Sequence, residues 1–186
     1  MLSRRSLGRI GAALILGVTI SGAAGAADAP FGGPVDVAYA KLLWGTLEAD
    51  RLVGPRSIHS TPYEGSEPHG AILETIDSTL TVNGHEGIVY VKKNYMGEGV
   101  DTDKVADNPG KWLDAVTVMF QREKGYDSDN QDWFWAKYGA DGSILQNPMK
   151  MALAGRVAKG ADKGCIACHK PAPGDDYIFN NDRHAR

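Results

Sequence analysis

The stretch Cys165-Ile166-Ala167-Cys168-His169 constrains this chain more than any other. Two thiols three positions apart, with a histidine directly after the second, fall on one side of a helical turn. Each thiol can then form a thioether to a haem vinyl group while the imidazole is delivered to the iron as proximal ligand, the c-type attachment pattern. A redox-active cysteine pair prefers a strand–helix–strand setting, and a zinc half-site needs two more ligands nearby; neither accompanies the motif. Only 17 residues follow His169, so any second iron ligand comes from upstream. That order excludes the small electron carriers in which the motif comes early and a Met ligand follows. Four-helix-bundle cytochromes place the motif late, but they are helical throughout, and this chain carries several Val-, Ile-, Tyr- and Trp-rich runs.

The N-terminus reads as an export signal. Arg4, Arg5 and Arg9 precede an apolar run from Ile10 to Ile20 and a small-residue tail, with cleavage expected after Ala26. The apolar run is short of the roughly 20 residues that span a bilayer. Residues 1–26 are therefore expected to be a signal peptide, and residues 27–186 a single haem domain in the periplasm, not held in the membrane once cleaved. Cleavage removes three arginines and no acid, leaving 17 basic and 23 acidic residues, a net charge of −6. An acidic chain of this kind carries no nucleic-acid footprint. With 42% hydrophobic and 23% charged residues it is neither disordered nor a multi-span membrane protein.

The spacing of apolar residues predicts a helix over Val35–Val53, with Val35, Ala38, Leu42 and Ala49 on one stripe and Leu43, Leu47 and Val53 widening it. The period then changes towards two. Strands are expected at Ala71–Thr75, Thr79–Val82, Gly87–Asn94, Ala115–Arg122 and Asp132–Tyr138, with turns at Asn83-Gly84 and over Gly125–Asn130. A helical stretch over Met149–Lys159 leads into the cysteine motif. The fold class expected is α+β: a small antiparallel β-sheet with an N-terminal helix and a C-terminal helical segment carrying the haem motif.

Ile88–Tyr95 (Ile-Val-Tyr-Val-Lys-Lys-Asn-Tyr), Ala115–Phe120 (Ala-Val-Thr-Val-Met-Phe), Gly125-Tyr126-Asp127, Asp132–Tyr138 (Asp-Trp-Phe-Trp-Ala-Lys-Tyr) and the terminal Cys-x-x-Cys-His together resemble the cytochrome P-460 family, which includes the cytochromes c′-beta. The resemblance runs from about Ala71 to Asn181. It implies a small antiparallel sheet with haem against it, an iron held by the proximal histidine alone, and an open distal side. Some members oxidise hydroxylamine and carry a lysine cross-linked to the haem macrocycle; others lack the cross-link and bind nitric oxide behind an apolar distal cap.

Lys92 is the position matched to the cross-linking lysine. Alternation along the strand sets Ile88, Tyr90 and Lys92 on one face and Val89, Val91 and Lys93 on the other, so one lysine faces the haem side and the other solvent. A one-residue slip in register exchanges them. Cys165, Cys168 and His169 are the residues expected to hold one covalent haem c, with His169 on the iron. Phe120 and Phe134 are candidates for an apolar cap, and Trp133 and Trp135 share the face opposite Phe134. Asp114, Glu123 and Asp132 are candidates for a polar distal base, which hydroxylamine oxidation needs because protons leave with the electrons. His59, His69 and His85 read as surface-loop histidines, and Met96, Met119, Met149 and Met151 as core filling rather than axial ligands. The function expected is a monohaem cytochrome that oxidises hydroxylamine. The alternatives are a nitric oxide-binding protein without turnover and a plain electron carrier. Expected partners are hydroxylamine or nitric oxide and a redox protein such as another periplasmic cytochrome; a homodimer is compatible with this reading.

Overall fold

A computed structural model describes residues 30–179; the expected signal peptide lies outside the described residues. Helix α1 (Pro34–Ala49) opens with a proline in its first turn, where no intrahelical partner is lost. It buries Ala40, Leu43 and Leu47, continued by Leu52 and Val53 in the turn beyond it. The stripe expected through Val35 and Leu42 instead faces water, at 81% and 46% exposure. Both apolar lines have helical spacing, and the sheet underneath selects one.

The strands β1 (Tyr63–Glu64), β2 (Ile72–Val82), β3 (His85–Tyr95), β4 (Leu113–Gln121), β5 (Trp133–Gly139) and β6 (Ala154–Gly155) form one antiparallel meander in chain order. The two pieces expected at Ala71–Thr75 and Thr79–Val82 are a single strand, because Ile76, Asp77 and Ser78 pair with β3 without a break. Asn83 and Gly84, at φ 51° and 80°, supply the two left-handed residues that a tight hairpin turn requires. Between β3 and β4 the chain forms two short helices, α2 (Thr102–Asp107) and α3 (Pro109–Trp112); the Asp101 side chain accepts from the Lys104 N–H and starts the first.

Met149–Lys159 is not a helix, contrary to the periodicity. Lys150, Gly155 and Ala158 have φ of 64°, 95° and 62°, and Gly155 and Ala154 pair with Trp135 and Ala136 as β6. The segment gains its backbone hydrogen bonds from the sheet edge instead of from its own turns. The motif itself forms helix α4 (Cys165–His169). The architecture is α+β, a six-stranded antiparallel sheet with helices at the start and near the end of the described chain.

The register divides the sheet into two faces. Val89 pairs with Phe120, which pairs with Phe134, and Val91, Val118 and Ala136 follow the same line. These residues pack with Leu43 and Leu47 of α1 in the main core, and the Tyr138 hydroxyl donates to the Ala40 carbonyl at 2.8 Å beside them. The opposite face presents the rows Thr75, Lys92, Thr117, Lys137 and Tyr90, Met119, Trp135. The C-terminal segment covers part of it, packing Val157, Ile166 and Tyr177 against Met119, Trp133 and Trp135.

Candidate haem site

Helix α4 is short and depends on its setting. Gly164 precedes it at φ 126°, and a side chain there would overlap the Ala158 methyl. Cys168 N–H donates to the Gly164 carbonyl at 2.9 Å and Lys170 N–H to the Ile166 carbonyl at 2.8 Å. Ile166 anchors the turn in the core, with Cys165 packed beside it, and Cys165, Cys168 and His169 border a cavity. Both cysteines are free thiols. Burial pushes the Cys165 thiol up to about 11, with the Lys137 charge pulling the other way.

His169 Nδ1 lies 2.8 Å from the Tyr177 carbonyl oxygen. A carbonyl only accepts, so Nδ1 is the donor and Nε2 carries the lone pair. Burial holds the imidazole below its usual range, opposed by the Tyr177 carbonyl and assisted by the Lys92 charge. This hydrogen bond fixes tautomer and ring orientation together, as second partners of metal-binding histidines do.

A cavity of about 440 Å³ lies between the free sheet face and α4. Tyr90, Lys92, Thr117, Met119 and Trp135 form its sheet wall, and Cys165, Cys168 and His169 form the wall facing it. Pro68 and His69, from the loop before β2, and Ile178 and Phe179 close its sides. The structure therefore brings Lys92 and the three motif residues around one space. Lys93 is on the other face, and it is not in solvent as alternation suggested. It is 2% exposed, with its ammonium 3.0 Å from Ser57 Oγ and 3.8 Å from Glu74 Oε2.

Several candidates lie elsewhere. Phe120 and Phe134 are on the α1 face, in the main core, so they form no cap over this cavity. Asp114 is exposed. Glu123 pairs with Arg122 at 2.6 Å, and Asp132 accepts from the Gly125 and Asp127 N–H groups at 3.2 and 2.7 Å; none of the three lines the cavity. His59 bonds Glu74 at 2.9 Å and His85 the Gln121 carbonyl at 3.1 Å. Met96 and Met149 face water, whereas Met119 is in the cavity wall.

His69 is the correction of most consequence. Read as a surface-loop residue, it is a wall residue with its ring centre 6.0 Å from that of His169. Burial, then the charges of Lys92, His169 and Lys137, push its pKa down to about 3. No motif surrounds it, and only the register that sets Thr117 beside Lys92 indicates what the loop leans on.

A family model described as Cytochrome P460 matches residues 74–180, more than half of the chain. This chain belongs to the cytochrome P460 family. No curated protein and no solved structure matches it. The matched region takes in β2 from Glu74 onward, β3 to β6 and α4, and leaves out α1 and the loop carrying His69. A cytochrome P460 binds haem, and the cavity residues fit that group. Two unpaired thiols and an imidazole whose Nε2 carries the lone pair border a mainly apolar space, and Trp135, in its wall, buries an indole N–H without a partner among the described residues.

Proposed function

We propose that this chain is a periplasmic monohaem c-type cytochrome that binds hydroxylamine at its haem iron and oxidises it. The observation that carries this reading is the convergence of Lys92, Cys165, Cys168 and His169 on one apolar cavity. Cys165 and Cys168 would hold the haem through thioethers, and His169 Nε2 would bind the iron while its Nδ1 stays on the Tyr177 carbonyl. The haem supplies the redox chemistry when bound. Lys92 would attach to the edge of the macrocycle. Met119, Trp135, Ile178 and Phe179 line the cavity with apolar surface and would keep bulk water from a group held there, which strengthens polar contacts made in it. The electrons would pass to a redox partner such as another periplasmic cytochrome.

The same apolar wall favours a second reading, nitric oxide binding without turnover. The experiment is a pair of spectra of the exported, haem-loaded protein, native and denatured, beside turnover with hydroxylamine and an artificial acceptor. A displaced ferrous Soret band, an abnormal denatured spectrum and turnover support the first reading. An ordinary denatured c-haem spectrum, high-spin native bands and no turnover support the second. Low-spin native bands would leave an electron carrier.

A further inference from the structure

The ring centres of His69 and His169 are 6.0 Å apart, and the ring planes stand at 89° to one another. That is the spacing of two imidazoles on one metal ion. A metal–nitrogen bond of about 2 Å and about 1 Å from nitrogen to ring centre, on each side, set the centres about 6 Å apart. Three rings contact His169, those of His69, Trp135 and Phe179, and of these only an imidazole is a metal ligand. Lys92, Lys163, Tyr90 and Met119 also bring donor atoms to the cavity wall. Met119 is packed with Trp133 and Trp135 in the core below it, and the Tyr90 ring faces Trp133 at 6.1 Å.

The two histidines are held unequally. His169 sits in the cysteine motif, with Nδ1 fixed on the Tyr177 carbonyl at 2.8 Å. His69 has the approach of Thr117 Oγ1 to its Nδ1 at 3.4 Å, long for a hydrogen bond, which leaves Nε2 turned away from Thr117. Its loop is closed at the base, where the Gly65 N–H donates to the Ala71 carbonyl at 2.7 Å and the His69 N–H to the Ser66 carbonyl at 3.0 Å. A side chain on Gly65 would overlap the Gly70 carbonyl oxygen, so the turn closes tightly only with glycine there. Beside the ring lies a more polar cleft bordered by Glu64 and Glu67, which gives a displaced imidazole somewhere to go.

We propose that His69 is the resident sixth ligand of the iron, binding through Nε2 opposite His169 and giving way to a small ligand that enters the cavity. The exchange breaks one iron–nitrogen bond and forms one bond to the incoming ligand, with no change of oxidation state. The family resemblance implies an open distal side; the spacing of these two rings closes it at rest. This assignment rests on the haem reading above and concerns what occupies the iron before a substrate arrives. Apparent affinity for any added ligand is then reduced by the fraction of time that His69 is off the iron.

The test uses the exported, haem-loaded ferric protein. Its absorption and electron paramagnetic resonance spectra should be low-spin, with the single highly anisotropic signal of two imidazoles at right angles. Cyanide binding followed by stopped flow should reach a limiting rate, set by the departure of His69. In His69→Phe the iron becomes high-spin, the limit disappears and cyanide affinity rises about 10-fold or more, as expected when the wild-type iron is open less than about a tenth of the time. A high-spin wild type overturns the proposal, and so does low-spin iron that survives in His69→Phe. Met119→Leu and Tyr90→Phe keep the low-spin state; its loss in either moves the sixth ligand off His69 and overturns the assignment. Low-spin bands that excess hydroxylamine leaves in place mean a permanent ligand and an electron carrier, which overturns the exchange. A protein without haem sinks this proposal and the haem reading together, whereas a haem-loaded, high-spin protein sinks this one alone. Exchange of His69 without turnover of hydroxylamine sinks the enzymatic reading and leaves this one standing.

Discussion

Lys93 keeps its ammonium group inside the protein, between Ser57 and Glu74. Glu74 is equally buried and also accepts from the Tyr95 hydroxyl at 2.8 Å and from His59 at 2.9 Å. Removing one member of a buried pair strands the other charge. Lys93→Met is therefore expected to destabilise the fold by about 3 kcal/mol in urea unfolding, with the haem spectrum unchanged. Lys92→Met, one residue away, should change stability by about 1 kcal/mol or less and alter the spectrum of the bound haem. Burial holds Lys93 below the usual 10.5, outweighing the attraction of Glu74. The unfolded chain then binds this proton more tightly than the folded one, so the residue adds stability as pH rises towards 10.5. The urea midpoint should accordingly gain more as pH rises towards 10.5 in the wild type than in Lys93→Met.

Among the elements, α4 has five residues and cannot orient an imidazole unaided. The acceptor for His169 belongs to Tyr177, whose φ is 66° and whose side chain is clamped from the β4–β5 connection. The Tyr177 hydroxyl donates to Asn130 Oδ1 at 3.1 Å, Asn130 Nδ2 donates to Asp127 Oδ2 at 2.9 Å, and Lys159 pairs with Asp127. The Trp133 indole N–H holds the Asp176 carbonyl at 3.2 Å in the same stretch. Asn130→Ala is expected to cost about 1–3 kcal/mol, the penalty of orphaning buried polar partners. It should also broaden the iron–histidine stretching band of the ferrous protein in resonance Raman, because the carbonyl that fixes the ring is no longer held. An unchanged band would mean that Tyr177 keeps its place without the clamp.

For the whole molecule, the two sheet faces divide the labour. The α1 face supplies stability and the other face holds the cavity. Phe134→Ala should destabilise the protein by about 3–5 kcal/mol and leave the native haem spectrum as it was. A comparable spectral change from this substitution and from Trp135→Phe, on the opposite face, would contradict that division. Among the described residues no helix is long and apolar enough to cross a membrane.

The cysteine–histidine motif, the strand alternation and the Asn83-Gly84 turn were legible because each is local chemistry: spacing on one helical turn, period two, and left-handed backbone at two residues. The sequence by itself determined the α+β class, the helical turn of the cysteine–histidine motif and the pairing of Tyr90 with Lys92 on one face. Which face that was depended on register. Only the pairing of Thr75, Lys92 and Thr117 sends Lys92 to the cavity and Lys93 beneath Ser57. The same pairing sends Phe120 and Phe134 to α1, whose buried line is itself chosen by the sheet. His69 and Tyr177 were beyond reach for a different reason. Each lies in irregular chain, and each is positioned by side chains 48 and 47 residues away, Thr117 and Asn130. A loop has no period of its own, so where its side chains point is decided by the long-range packing that holds it.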